Sequence, residues 1–124
     1  MKVLIVDDDP ELRAILREHL EAHGAEVLES GNGLECLLQV KRARPEAILL
    51  DLNMPRLGGV EALRHIRKFD PAIRVIVLTA SIDDGEHEQA RRHGARDVFA
   101  KPYDLEELRL ALMTPGPANA VTRA

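Results

Sequence analysis

In Val3-Leu4-Ile5-Val6-Asp7-Asp8-Asp9, four apolar residues run without alternation straight into three aspartates. A short continuous apolar run with a polar boundary reads as a strand buried on both faces, as in a parallel sheet. The pattern recurs along the chain. Ala47-Ile48-Leu49-Leu50 stops on Asp51, Val75-Ile76-Val77-Leu78 stops on Thr79, and a weaker run, Val98-Phe99-Ala100, ends at Lys101-Pro102. As neighbouring parallel strands, these runs would gather acids, a hydroxyl and an ammonium at their C-terminal ends. Open α/β sheets bind ligands in that crevice.

Helical patterns fill the intervals. Pro10 is followed by Leu12, Ile15, Leu16 and Leu20 at helical spacing until Gly24, a residue suited to the position past a helix end. A short strand signal at 25–30 precedes Gly31-Asn32-Gly33, after which Leu34, Leu37, Leu38 and Val40 resume a helical stripe that Pro45 closes. The prolines and glycines of the 52–59 stretch mark a loop, and Val60, Leu63, Ile66 and Arg67 form a third amphipathic segment, ended by Pro71. From Ser81 to Gly94 the chain is polar, with Asp83, Asp84, Glu86 and Glu88 early and Arg91, Arg92 and His93 late. That order suits a helix macrodipole but offers almost no apolar face, which predicts a marginal, mobile fourth helix. Asp104 caps a last helix through Leu105, Leu108, Leu110 and Leu112. Five strand and five helix signals in alternation predict a parallel α/β sheet covered on both faces. Residues 1–113 are expected to form one domain; 114–124, with Pro115, Gly116 and Pro117, read as a disordered tail or the start of a linker.

Composition narrows the function classes. In 124 residues the apolar share is 45%, the charged share 31% and the aromatic share only 2%, with 17 basic against 21 acidic residues and a net charge of −4. Such a chain has neither the basic footprint nor the stacking platforms that nucleic-acid binding needs, so direct DNA or RNA binding is disfavoured. Cys36 is the single cysteine, which excludes an intrachain disulfide and suits a reducing compartment. No run approaches the ~18 apolar residues of a membrane span, and the first apolar run is too short for a signal peptide. A cytoplasmic location, off the membrane, is the expectation.

The strand-end residues carry the chemistry. Asp7, Asp8 and Asp51 at the ends of adjacent strands would repel one another unless they share a cation. Hard oxygen ligands on a shallow crevice favour Mg²⁺, which keeps several waters and takes few protein carboxylates. Lys101 completes the charge balance. With its charge offset, Asp51 can attack phosphorus, because phosphoryl transfer rests mainly on positioning and on stabilising the equatorial oxygens. Lys101, the Thr79 hydroxyl and a nearby backbone N–H supply those stabilisers, and the small Ala80 leaves the approach open.

The blocks Leu4-Ile5-Val6-Asp7-Asp8, Leu50-Asp51-Leu52-Asn53-Met54-Pro55, Leu78-Thr79-Ala80 and Lys101-Pro102 together resemble the receiver domain of two-component response regulators, the CheY-like family. The resemblance covers Met1 to about Met113. It implies a flavodoxin-like (βα)5 fold, a doubly wound parallel five-stranded sheet of strand order 2-1-3-4-5. It also implies that Asp51 is the phosphoacceptor, receiving a phosphoryl group from a phosphohistidine on a histidine kinase or phosphotransfer protein. Asp7, Asp8, Asp51 and the Asn53 backbone carbonyl would bind Mg²⁺, Asp7 mostly through water. Thr79, Lys101 and the backbone at Ala80 and Asn53 would meet the phosphoryl oxygens, and the Lys101-Pro102 bond would be cis. Asn53 and Ser81 would border the path of hydrolytic water. Such a domain catalyses only its own phosphorylation and dephosphorylation, and so is not an enzyme toward other substrates. It switches a protein-binding face toward a downstream protein target or an effector domain fused in a longer parent. One position departs from the family pattern. Where an aromatic residue commonly stands three residues before the lysine, this chain has Val98, and strand alternation sends the neighbouring Phe99 to the opposite face. No aromatic switch is expected there, which leaves Thr79 and the following loop as the route to the fourth helix.

Two other readings compete. Asp7-Asp8-Asp9 after a strand also suits a small phosphohydrolase of the haloacid-dehalogenase type, with Asp7 as nucleophile. Against it, Glu11 stands where that family has threonine or valine, and Asp83-Asp84 precede rather than follow Lys101. The other is a receiver fold serving only as a phosphorylation-independent interaction scaffold. His19 and His23, one helical turn apart, lack a third metal ligand and are read as structural, and Cys36 is read as a small core residue.

Overall fold

The computed structural model describes residues 1–54 and 58–114. Along the chain come β1 (Lys2–Val6), α1 (Pro10–Glu21), β2 (Glu26–Ser30), α2 (Gly33–Ala43) and β3 (Ala47–Asp51). They are followed by α3 (Gly59–Phe69), β4 (Arg74–Thr79), α4 (Asp84–Arg92), β5 (Asp97–Ala100) and α5 (Leu105–Met113). All five strands are parallel, in the order β2-β1-β3-β4-β5. This is the flavodoxin-like doubly wound sheet. Residues 55–57, within the loop expected at 52–59, and the tail expected beyond Thr114 lie outside the described residues.

Burial explains why some strands were conspicuous. Every residue of β3 is buried, as are four of the five in β1 and five of the six in β4, because helices cover both faces of the central sheet. β2 sits at an edge, mixes exposed and buried positions, and so needed only a thin apolar signal. Period-two alternation divides the strand side chains between two cores. Leu4, Val6, Ile48, Leu50, Val75, Val77 and Val98 pack toward Cys36, Val40, Ala62, Leu63, Ile66 and Ala90 of α2, α3 and α4. Val3, Ile5, Leu49, Ile76, Leu78 and Phe99 pack toward Leu16, Leu20, Leu108 and Leu112 of α1 and α5. Val98 and Phe99 thus face opposite sides of the sheet, and Phe99 is locked in the α1/α5 core.

The helical stripes need correction. Leu34 and Leu38 are exposed, at 65% and 46%, whereas Gly33, Cys36 and Val40 form the buried face of α2. At 3.6 residues per turn, Leu34 and Leu38 stand about 160° around the helix from Cys36. Ile15 and Leu110 are likewise exposed, while Leu16, Leu20, Leu108 and Leu112 fill the core. α4 buries Ala90 alone and is otherwise polar, with Asp83 capping its N-terminus through Gly85 and Glu86 N–H. His19 pairs with Glu106 of α5, and His23 Nδ1 lies 3.0 Å from the His19 carbonyl, both structural contacts. Cys36 is fully buried, and burial pushes its thiol pKa up to about 12. Among the described residues, no helix is long and apolar enough to cross a membrane.

Candidate functional site

Backbone pairing runs one step past the strands and sets the site. Asp7 N–H donates to the Ser30 carbonyl, Leu52 N–H to Leu78, and Lys101 N–H to Thr79, at 3.1, 2.9 and 2.8 Å. The residues that follow β1, β3, β4 and β5 are therefore held on one edge, as the apolar runs implied. The Lys101-Pro102 peptide is cis.

The three aspartates after β1 divide their work. Asp9 caps α1, accepting from Glu11 and Leu12 N–H. Asp7 is 1% exposed and Asp8 faces solvent. Asp7, Asp8 and Asp51 each bring one carboxylate oxygen into a group spanning no more than 4.8 Å. Lys101 Nζ lies 3.5 Å from Asp51 Oδ1 and 3.8 Å from Asp7 Oδ2. Asp7 Oδ1 accepts from Asp9 N–H, but Asp7 Oδ2 is buried with no hydrogen-bond partner among the described residues, the Lys101 contact being too long for one. Burial raises the Asp7 pKa above its ordinary value, the Asp9 N–H opposes that rise, and the Asp51 charge adds to it. An orphaned carboxylate oxygen, two further carboxylates and one solvent-facing side form a donor set that fits a hard divalent cation retaining water.

The opposite wall holds the donors. Thr79, 1% exposed, directs its Oγ1–H to Asn53 Oδ1 at 3.4 Å and accepts from Ser81 N–H at 3.1 Å. Ala80 N–H donates to the same Asn53 Oδ1 at 2.8 Å, and Asn53 N–H donates to Asp51 Oδ1 at 3.0 Å. Asp7, Asp8, Asp51, Asn53, Thr79, Ala80 and Lys101 thus converge, as the strand-end pattern predicts. A recess of about 190 Å³ opens beside them, lined by Leu52, Asn53, Val60, Thr79, Glu86 and Gln89. A larger cavity of about 410 Å³ between α3 and the end of α4 contains none of these residues. The chemistry sits at the sheet edge.

Two supporting residues escaped the sequence reading. Arg13 donates through Nη1 to the Asp7 carbonyl at 2.5 Å and through Nε to Glu29 at 3.0 Å, tying the β1–α1 turn to the edge strand. Its position one helical turn after Asp9 was the available signal. Tyr103, the only tyrosine, has a buried hydroxyl without a hydrogen-bond partner among the described residues; burial, with the Asp7 and Asp51 charges, pushes its pKa up to about 12. Its place two residues after Lys101 could have flagged it.

A sheet of this order with a dication-competent acid cluster and an ammonium at its C-terminal edge defines a phosphoryl-accepting α/β signalling domain. The family model described as response regulator receiver domain matches residues 3–113, and the chain belongs to that family. It is 37% identical over 111 residues to sporulation initiation phosphotransferase F of Bacillus subtilis, covering 90% of this chain and 90% of the relative. It is 41% identical over 108 residues to response regulator MprA of Mycobacterium leprae, covering 87% of this chain but 47% of that relative, so it spans about half the length of MprA. Among solved structures it superposes with a TM-score of 0.85, at 28% identity over 91% of this chain and 66% of the other, on a response regulator protein from Burkholderia pseudomallei with a phosphorylated aspartic acid, calcium ion and citrate. Membership makes the chain a receiver domain of two-component signalling, phosphorylated on an aspartate. The haloacid-dehalogenase reading finds no support: the family matched over residues 3–113 is the receiver family, and Asp9, the second acid of that reading, caps α1.

Proposed function

We propose that Asp51 is the phosphoacceptor and that it takes the phosphoryl group from a phosphohistidine of a histidine kinase or phosphotransfer protein. The observation that carries this reading is the buried Asp51 carboxylate, with Lys101 Nζ 3.5 Å away and Asp7 and Asp8 within the same small cluster. An Asp51 carboxylate oxygen forms a bond to phosphorus as the phosphorus–nitrogen bond to the donor imidazole breaks, and the ring nitrogen leaves with the bonding pair. Asp7, Asp8, Asp51 and the Asn53 backbone carbonyl would hold Mg²⁺, whose contribution is to neutralise charge on the phosphoryl oxygens. Lys101 stabilises a second oxygen, and the Thr79 hydroxyl with Ala80 N–H a third. The exposed Asp8 side leaves a path for the donor.

The domain acts as a switch that turns over only its own phosphoryl group. Residues 1–113 form the receiver. The match to MprA, which is about twice as long, supports an effector domain in a longer parent as one output and a separate protein target as the other. A cytoplasmic location suits the donor and the single buried thiol.

The test is incubation with acetyl phosphate and Mg²⁺ followed by intact mass. The parent gains an alkali-labile phosphoryl adduct, and Asp51→Asn gains none. An adduct persisting at the same level in Asp51→Asn overturns the acceptor assignment.

A further inference from the structure

We propose that the side-chain carbonyl of Asn53 is a stand-in for a phosphoryl oxygen in the resting site, so that Asn53 is a positioning residue that must let go for Asp51 to be phosphorylated. The inference rests on Asp51 being the acceptor and concerns how its site is kept while empty of phosphate.

The geometry is specific. Ala80 N–H and Thr79 Oγ1–H, the two donors assigned to one phosphoryl oxygen, both point at Asn53 Oδ1, at 2.8 and 3.4 Å. Donor counting makes the competition strict. A hydroxyl has one hydrogen and a backbone amide has one, so neither can serve Asn53 and a phosphoryl oxygen fully at the same time. The Thr79 oxygen accepts from Ser81 N–H, which leaves its own hydrogen for Asn53 Oδ1. Asn53 N–H bonds Asp51 Oδ1, so its backbone is anchored to the acceptor while its side chain reaches across to the loop after β4.

Displacement is inexpensive. Asn53 is exposed, and beside it lies the recess shared by Val60, Glu86 and Gln89, so the amide can rotate into water or toward α4 without being buried unsatisfied. Phosphorylation then exchanges one acceptor for another at Ala80 and Thr79. The segment after β4 is held in both states, by Asn53 before transfer and by the phosphoryl oxygen after it. The side chain released toward Glu86 and Gln89 is a signal delivered directly to α4.

The experiment is hydrogen exchange at the Ala80 amide, read by NMR in metal-free, unphosphorylated protein, for the parent, Asn53→Ala and Asn53→Asp. Exchange at Ala80 is expected to be about three- to tenfold faster in Asn53→Ala, the weight of one net hydrogen bond, and to return toward the parent in Asn53→Asp, which keeps an acceptor oxygen. With beryllofluoride and Mg²⁺ bound, parent and Asn53→Ala should protect Ala80 equally. The initial rate of adduct formation with acetyl phosphate should rise about three- to tenfold in Asn53→Ala, by the same hydrogen bond no longer competing. Equal Ala80 exchange in parent and Asn53→Ala overturns the proposal, as does faster exchange unaccompanied by faster phosphorylation. The exchange measurement needs no phosphorylation, so it separates this claim from the acceptor assignment, whose failure shows as an adduct that survives in Asp51→Asn.

Discussion

Asp7 shows the site's tension at the scale of one residue. A carboxylate with one oxygen buried and unpartnered, near two other acids, costs folding energy that a cation would relieve. Its pKa is raised in the folded chain, so between the ordinary value of 3.8 and the raised one the native state binds more protons than the unfolded state. The stability associated with Asp7 is therefore fully present below 3.8 and is lost as pH rises through the folded value. Asp7→Asn should consequently stabilise the metal-free protein at neutral pH by about 1–2 kcal/mol, within the usual range of single substitutions. Urea melts in EDTA check this, and the gain should shrink toward zero as the pH is lowered to the acid range. A variant less stable than the parent at pH 7 would show that Asp7 is satisfied by contacts rather than strained.

At the scale of elements, the loop after β3 and the start of α3 are fitted to each other through Gly59. A Cβ there would lie 2.6 Å from the Leu52 Cα and 3.0 Å from the Asp51 carbonyl, both backbone atoms that cannot give way cheaply. Among the described residues α3 has no side-chain cap, its N-cap being Gly58, and its first turn lies directly against the acceptor segment. Gly59→Ala should cost about 1–3 kcal/mol, the usual penalty of overpacking. Because the displaced atoms belong to Asp51 and Leu52, it should also slow adduct formation with acetyl phosphate, measured beside the denaturation midpoint. A neutral effect on both would mean that the loop has room to move.

For the whole molecule, a dication at the cluster would be linked to folding. Asp7 and Asp8 follow β1 and Asp51 ends β3, so the cluster exists only when those strands pair, and Mg²⁺ binding there would favour the native state. At a hundredfold excess over Kd, linkage is worth about 2.7 kcal/mol. Thermal melts should therefore shift upward by several degrees with Mg²⁺, reverse with EDTA, and lose the shift in Asp7→Asn. A shift of equal size in Asp7→Asn would place the cation elsewhere.

Local features were legible in the residues alone. Unbroken apolar runs announced β1, β3 and β4 because two-sided burial demands them; the residues that end those runs are the candidate acids and hydroxyl, and the weaker run of β5 ends at the candidate ammonium, Lys101. The family resemblance, not periodicity, implied which strand lies beside which. Which leucines are core had to come from the folded structure, since Leu34 and Leu38 have the apolarity of a buried face yet sit across α2 from it. It alone assigned Asp9 to a helix cap, Arg13 to the Asp7 carbonyl and the Asn53 side chain to Ala80 and Thr79. Spacing records distance along the chain, whereas a hydrogen bond depends on where strand pairing and helix packing bring two atoms, and those are settled by contacts between residues far apart in sequence.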